Sequence, residues 1–546
     1  KRISAHNDSD VDYLIGANLI EEAAQRAAEP DASWLRSKVT ALREETATEA
    51  RRSASADAVL NDLMRRYPER RFASQYERTL EIVVDPLRAR FSAWYEMFPR
   101  STSTQGEKHG TFADCEARLP YVAELGFDVL YFPPIHPVGL NFRKGKNNAV
   151  KAERDDVGSP WAIGAKEGGH KSINPDLGTL EDFRKLVKKA EALGIQVALD
   201  IAFQVSPDHP YVKESEEWFK KRPDGTIQYA ENPPKKYQDI YPFEFETPKW
   251  FELWQELKSV FSYWIEQGVT IFRVDNPHTK AFPFWEWCIT ELKRECPQAL
   301  FLAEAFTRPK VMYRLAKLGF SQSYTYFPWR IGKQELTSYL TELTTTPVRE
   351  FFRPNQWPNT PDILHEFLQS GNRAAFMIRY LLAATLGANY GIYGPAFELQ
   401  ESRPVRPGSE EYLNSEKYQI RQWDLDRPES LRRLIAVVNR IRRENPALQS
   451  DWGLAFHPVS NENLLCYSKR SDDGKNLVLL VINLDPTRTQ SGMVDLPLAR
   501  FGLAEGQRYQ VDELLIGEQY VWTGRQNYVE LNPARVPGHI LQLRPR

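Results

Sequence analysis

The sequence predicts an α/β chain: a (β/α)8 TIM barrel with an N-terminal helical bundle and a C-terminal antiparallel β-sandwich. Three patterns predict it. From about residue 81 to 447, short apolar runs alternate with amphipathic helical segments, and helices close on Leu-Gly-Ile (193 to 195) or Gln-Gly-Val (267 to 269) before the next run. Ahead of that stretch, apolar positions recur only at helical spacing. Beyond about residue 450, alternating strand patterns are punctuated by Asp-Gly and Asp-Pro, which suits two packed antiparallel sheets. These patterns divide the chain into residues 1 to 80 (helical bundle with a remnant of an N-terminal domain), 81 to 447 (barrel) and 448 to 546 (sandwich).

Taken in order, residues 11 to 67 carry helix patterns such as Val59, Leu60, Leu63 and Met64, with Ser55 as the cap and Pro68 as the stop. The β-branched run Ile82-Val83-Val84 leads into the alternating stretch. Its strands are read at 129 to 132, 196 to 203, 270 to 275, 300 to 304, 324 to 327 and 388 to 393, with helices at 179 to 193 and 249 to 266 between them. Residues 206 to 248 form an insertion, rich in Pro, Lys and Tyr and turning at Pro223-Asp224-Gly225, too long for an ordinary strand-to-helix loop; it is expected to stand over the C-terminal barrel face. A last helix (428 to 444) precedes strands at 464 to 468 and 477 to 483.

The 546 residues, 42% apolar, have room for about three domains. With 71 Lys and Arg against 73 Asp and Glu, the net charge of -2 gives no electrostatic case for nucleic acid or an anionic membrane. The aliphatic run 477 to 482 is far short of the ~20 residues of a membrane span. Four cysteines without Cys-x-x-Cys spacing read as reduced thiols, so a soluble, cytoplasmic protein is expected. The chain opens on Lys1 rather than Met, which leaves room for a further N-terminal portion.

The chemistry concentrates in the segment 271 to 278. On a strand, Arg273 and Asp275 point to the same side, into the barrel mouth if Phe272 and Val274 face the outer helices. A guanidinium there keeps the carboxylate ionised. Glu304 ends the next strand among apolar residues, where a raised pKa suits a general acid. Asp362 supplies a third acid. A single acid at a strand end can be merely solvated, but three converging on the C-terminal face of a barrel fit glycosyl transfer through an oxocarbenium-like transition state.

FRVDNPHTK (272 to 280), LAEAFTRP (302 to 309) and NTPDIL (359 to 364) resemble the fourth-, fifth- and seventh-strand motifs of the α-amylase superfamily, in the version carried by α-1,4-glucan:maltose-1-phosphate maltosyltransferases. KGKNN (144 to 148), GSPWAIG (158 to 164), GGHKSINPDLGTLEDF (168 to 183) and FQVSPDHP (203 to 210) are similar to the same family. The chain departs from amylase hydrolases in lacking an Asn-His pair after Asp200 and in having Pro361, not His, before the third acid. Both departures fit the transferase branch rather than starch hydrolysis.

The resemblance implies that Asp275 is the nucleophile, Glu304 the acid/base and Asp362 the stabiliser of developing charge, with Arg273 beside them. It places Lys144, Asn232, Lys235 and Tyr237 at the leaving phosphate, and Gln204, Asn276, Lys417 and Tyr418 at the maltosyl unit. The implied partners are α-maltose 1-phosphate and an α-1,4-glucan or maltooligosaccharide, with a homodimer and no metal or organic cofactor. Two rivals stand against this reading: an α-glucan hydrolase or other transglycosylase of the superfamily, and a glucan-binding scaffold without activity. His170, His209 and His278 show no metal-ligand spacing and are read as structural. Trp161, Trp329 and Trp357 are candidate stacking platforms for sugar rings, although most aromatics in such a chain belong to the core.

Overall fold

A computed structural model describes residues 10–106, 108–232 and 235–545. The chain forms two compact units, Lys1–Val83 and Val84–Arg546. In the first, helices α1 (Asp10–Arg26), α2 (Asp31–Glu44), α3 (Thr48–Ser55) and α4 (Ala58–Arg66) follow one another. Ala17, Ile20 and Ala24 of α1 pack on Leu35, Val39 and Leu42 of α2, and Leu60 and Leu63 of α4 complete this core. The cap of α4 is Asp57, whose carboxylate accepts from the Val59 amide at 2.8 Å. Ser55, the expected cap, instead ends α3, and its hydroxyl donates back to the Arg52 carbonyl.

In the second unit, eight parallel strands close into a ring: β1 (Ser92–Glu96), β2 (Val129–Phe132), β3 (Gln196–Ile201), β4 (Ile271–Asp275), β5 (Leu300–Glu304), β6 (Gln322–Tyr324), β7 (Pro354–Gln356) and β8 (Asn389–Tyr393). The barrel is filled from inside by alternate residues, including Trp94, Tyr131, Ala198, Ile271, Leu302, Tyr324 and Trp357. The intervening residues face the helices: Phe272 meets Phe261 with ring centroids 5.0 Å apart. The helix Leu180–Ala192 starts at Thr179 with a reciprocal capping box to Asp182, so the run 179 to 183 both ends a loop and begins a helix.

Two barrel strands escape the hydropathy pattern for a physical reason. β1 and β7 carry polar residues into the barrel wall, where they bond polar residues of β8 and β6. Ser92 Oγ donates to Asn389 Oδ1 at 2.8 Å, Gln322 Nε2 to the same oxygen at 3.0 Å, and Asn355 Nδ2 to Gln322 Oε1 at 2.9 Å. The sixth strand also begins earlier than expected, at Gln322, and Phe327 opens a 3-10 turn, Phe327–Trp329, instead of ending the strand. The strand expected at 196 to 203 stops at Ile201, and the last barrel helix runs over Arg432–Glu444. Within the insertion, Ala230–Asn232 pairs antiparallel with Lys235–Tyr237. Its turn at Gly225 uses φ +85° and a Gly225 amide bond to the Arg222 carbonyl.

Beyond the barrel, a six-stranded antiparallel sheet and a two-stranded sheet enclose a separate core. The strands are β9 (Ala455–His457), β10 (Leu464–Arg470), β11 (Leu477–Asn483), β12 (Gln490–Asp495), β13 (Arg508–Glu513), β14 (Gln519–Thr523), β15 (Gln526–Leu531) and β16 (Gly538–Pro545). The large sheet runs β9-β10-β11-β16-β13-β14 and the small one pairs β12 with β15. Leu479, Val481 and Leu541 meet Val494, Val529 and Leu531 between them. Among the described residues no helix is long and apolar enough to cross a membrane.

Arg442, fully buried, closes the barrel seam from below. Its guanidinium donates to the carbonyls of Ala384, Gly387 (3.2 Å), Ala388 (2.7 Å) and Ser92 (3.3 Å), joining a helix C-terminus to the entries of β8 and β1. These carbonyls have no solvent to turn to. Arg442→Met should therefore lower stability by about 3 kcal/mol or more, read as a lower urea midpoint; an unchanged midpoint would show that the seam holds without the guanidinium.

Candidate active site

The C-terminal ends of β3, β4 and β5 bring three acids around one cation. β4 alternates Phe272 and Val274 outward with Arg273 and Asp275 inward, and its register sets Asp200 beside Arg273 and Asp275 beside Glu304. Arg273 donates to Asp275 Oδ1 at 2.7 Å and to Asp200 Oδ2 at 2.9 Å, and lies 3.6 Å from Glu304 Oε2. Its side chain is only 8% exposed. Burial opposes its charge, but Asp200, Tyr131, Glu304 and Asp275 outweigh that and hold the guanidinium firmly protonated.

The acids in this cluster take on different characters. Burial, helped by the neighbouring Asp275 charge and opposed by Arg273, pushes Glu304 up to about 8. Burial likewise lifts Asp200 to about 7, against Arg273 and the Tyr131 hydroxyl that donates to it at 2.5 Å. Glu304 can thus carry a proton at neutral pH, the state a general acid needs. Asp275, bound by Arg273 and approached by the Asn276 side-chain amide at 3.4 Å, stands beside it.

The third predicted acid lies farther out. Asp362 sits on the loop after β7, half-exposed, and forms an ion pair with Lys417. Burial disfavours the Lys417 charge, and the Asp362 carboxylate overcomes it, raising the ammonium above its ordinary range. Lys417 also lies over the rings of Trp161 (5.3 Å) and Tyr418 (5.7 Å). The Asp362 charge is felt at Glu304.

Lys144 is 4% exposed and donates to Gln238 Oε1 at 2.9 Å and the Lys236 carbonyl at 3.3 Å, which ties the 144 to 148 loop to the insertion hairpin. Tyr237 is half-buried on that hairpin. The side chains of Asn232 and Lys235 lie outside the described residues; their backbones pair across the hairpin. Gln204 is half-buried on a two-residue strand, and among the described residues its side chain bonds none of the other predicted site residues. Tyr418 is buried beside Lys417.

Two residues that the motif analysis passed over stand near these groups. Asp239, 2% exposed, has one carboxylate oxygen without a hydrogen-bond partner; burial raises its pKa while Lys144 and Lys417 pull it down. Lys280 faces the charges of Asp275 and Glu304. Their only signal in the sequence is position inside a recognised segment. Trp357, a candidate sugar platform, is in the barrel plug instead: it stacks on Tyr324 at 5.0 Å and is 1% exposed, because the seventh strand turns it inward. Trp329 is half-buried and donates to Glu410, and Trp161 lines the Lys417 side of the mouth.

His170 and His209 pack together, Nδ1 to Nε2 at 3.3 Å, and burial drives them down to about 4 and about 2. They are neutral packing groups beside Phe243 and Trp264. Among the described residues no group of three or more His, Cys, Asp and Glu side chains is placed to hold a metal ion.

Comparison with known proteins agrees with this architecture. Residues 1–86 match the family model described as α-1,4-glucan:maltose-1-phosphate maltosyltransferase, domain N/S; residues 96–254 match the α-amylase catalytic domain, and residues 456–543 the model GLGE, C-terminal. The α-1,4-glucan:maltose-1-phosphate maltosyltransferase of Chlorobaculum tepidum is 54% identical over all of this chain and 82% of its own length. That of Methylacidiphilum infernorum is 52% identical over 99% of this chain and 81% of its own. Among solved structures, a maltogenic α-amylase from Thermotoga neapolitana superposes with a TM-score of 0.62 at 18% identity, covering 84% of this chain and all of its own. The α-amylase of Geobacillus thermoleovorans gives 0.63 at 15%, covering 84% and 99%, a likeness of fold. With identity above one half across the whole chain and most of the relative, the chain belongs to the α-1,4-glucan:maltose-1-phosphate maltosyltransferases, glycosyltransferases of the α-amylase superfamily.

Proposed function

We propose that this protein transfers maltosyl units from α-maltose 1-phosphate to the non-reducing ends of α-1,4-glucans, releases phosphate, and thereby serves α-glucan or glycogen synthesis. The observation that carries the reading is the pairing of Asp275 with Glu304 in register on adjacent strands, under one buried guanidinium. Neighbouring strand backbones lie about 5 Å apart, which sets the two acids side by side as a retaining double displacement requires.

In the first step the carboxylate of Asp275, bonded by Arg273, attacks the anomeric carbon while the Glu304 proton goes to the departing phosphate oxygen. A β-maltosyl ester forms on Asp275 and the C1–O bond to phosphate breaks. In the second, Glu304, now a carboxylate, takes the proton of an acceptor 4-hydroxyl, whose oxygen displaces Asp275. Two inversions give net retention and an α-1,4 link. Asp362 accepts hydroxyls of the reacting sugar as positive charge develops at its ring, and the Lys417 ammonium fixes that carboxylate.

The phosphate, a dianion, needs cations and donors, and we assign it to Lys144 with Asn232, Lys235 and Tyr237. Gln204, Asn276, Lys417 and Tyr418 take the maltosyl unit. The unpaired oxygen of Asp239, held between two lysines, suits a further sugar hydroxyl. None of these steps calls for a metal or organic cofactor. We also propose a homodimer. Val11, Ile15 and Leu19 recur every four residues on α1 and are 62%, 54% and 53% exposed, an apolar stripe that a second copy can cover.

Three outcomes are expected. Phosphate release from α-maltose 1-phosphate should depend on a maltooligosaccharide acceptor, with products growing by two glucose units in mass spectra, and Asp275→Ala should lose about 10⁴-fold or more in kcat. Shortening of the acceptor without phosphate release would mean a hydrolase, and silence in both assays a scaffold. Because Glu304 must enter the first step protonated, kcat/KM for the donor should fall as pH rises through about 8; a profile flat to pH 10 would remove Glu304 from the acid role. Light scattering should give the dimer mass for the wild type, and Ile15→Glu should yield monomers; a monomeric wild type would sink the dimer.

A further inference from the structure

The residue after Asp275 has an uncommon backbone. Asn276 adopts the left-handed conformation (φ 43°, ψ 51°), a region that Asn and Gly tolerate and other residues occupy at a cost. Its peptide N–H, at the end of β4, donates to Glu304 Oε2 at 3.1 Å, and the left-handed φ redirects the chain that follows. Its side-chain amide reaches back to Asp275 Oδ2 at 3.4 Å. From the other side, Lys280 Nζ donates to the Asn276 carbonyl at 3.4 Å and to Thr279 Oγ1 at 2.9 Å, while Thr279 Oγ1 donates to that same carbonyl at 2.8 Å. Pro277 follows directly, so the chain is clamped on both sides of Asn276.

Strand register alone does not orient the Glu304 carboxyl. Its Oε2 lies 3.6 Å from Arg273, beyond hydrogen-bond reach, and the Asn276 N–H is the donor that fixes this oxygen. With Oε2 held, the other oxygen is the one left to carry the proton into the mouth.

We propose that Asn276 is a positioning residue for the acid/base: its left-handed backbone, braced by Lys280 and Thr279, holds in place the main-chain N–H that orients Glu304. This role is separate from the sugar contact assigned to its side chain, and it rests on the transferase reading above. The separation makes it testable, because glycine and alanine remove the same side chain yet differ in their tolerance of positive φ.

Asn276→Gly and Asn276→Ala should therefore share a raised KM for α-maltose 1-phosphate. They should part in kcat, with alanine about tenfold or more below glycine, since general acid-base catalysis is worth ~10²–10⁴-fold and depends on geometry. The basic limb of the pH profile supplies a readout that side-chain loss alone would not move. Besides the Asn276 N–H, Glu304 faces Arg273 and Asp275 on β4, Asp362 on the loop after β7, Tyr324 on β6 and Lys280. The N–H favours the carboxylate, so losing it should move the limb of the alanine variant to higher pH while that of the glycine variant stays with the wild type. Circular dichroism and melting temperature establish that both variants fold. If alanine does not fold, Lys280→Met serves as the second test, with kcat lowered several-fold at a KM near that of the wild type.

Equal kcat and equal limbs for the glycine and alanine variants, or an unaltered kcat for Lys280→Met, would overturn the positioning role. A wild type that releases no phosphate from α-maltose 1-phosphate would instead overturn the donor assignment beneath it.

Discussion

The site is organised around one buried cation. Arg273 bonds Asp200 and Asp275 and stands close to Glu304, and its aliphatic and planar surfaces lie against Tyr131 and Tyr324. A guanidinium with 8% of its side chain exposed is tolerable only because those acids surround it. The acids in turn would repel one another without it. Burial lifts Asp200 and Glu304 above the ordinary carboxylate range against the pull of Arg273, so two of the three acids around the cation can hold a proton at neutral pH.

Around that cluster the mouth is built in a second tier of opposite design. Lys417 with Asp362, and Lys144 with Gln238, place ammonium groups on loops rather than on strands. Arg273 is locked among three acids, whereas Lys417 is held by Asp362, and Lys144 by Gln238 and the Lys236 carbonyl. The loops reach this position because the insertion folds back as a hairpin onto the 144 to 148 segment, a contact between residues some ninety positions apart.

The barrel that carries both tiers is closed by polar rather than apolar groups. Ser92, Gln322, Asn355 and Asn389 bond across the strands, and Arg442 gathers the carbonyls beneath them. Buried amides that satisfy each other specify one register, since a slip by one residue would leave several of them unpaired. This floor keeps β1, β7 and β8 in line with the ends of β3 to β5, where the chemistry lies.

What the sequence by itself determined was the barrel, its flanking regions and the acids. The alternation of Phe272 and Val274 with Arg273 and Asp275 places two charged groups on one face of a strand, and strand geometry allows no other outcome. Long motifs made the family legible for the same reason, because each packs a turn, a strand end and a charge into consecutive residues. β1 and β7 were not legible, since their buried polar residues are satisfied only by partners far along the chain. Trp357 could not be told from a sugar platform until the strand turned it into the plug. Asp239 and the left-handed Asn276 depended likewise on tertiary structure. A carboxylate gains an unpaired oxygen, and an amide its aim at Glu304, only when residues distant in sequence close around them.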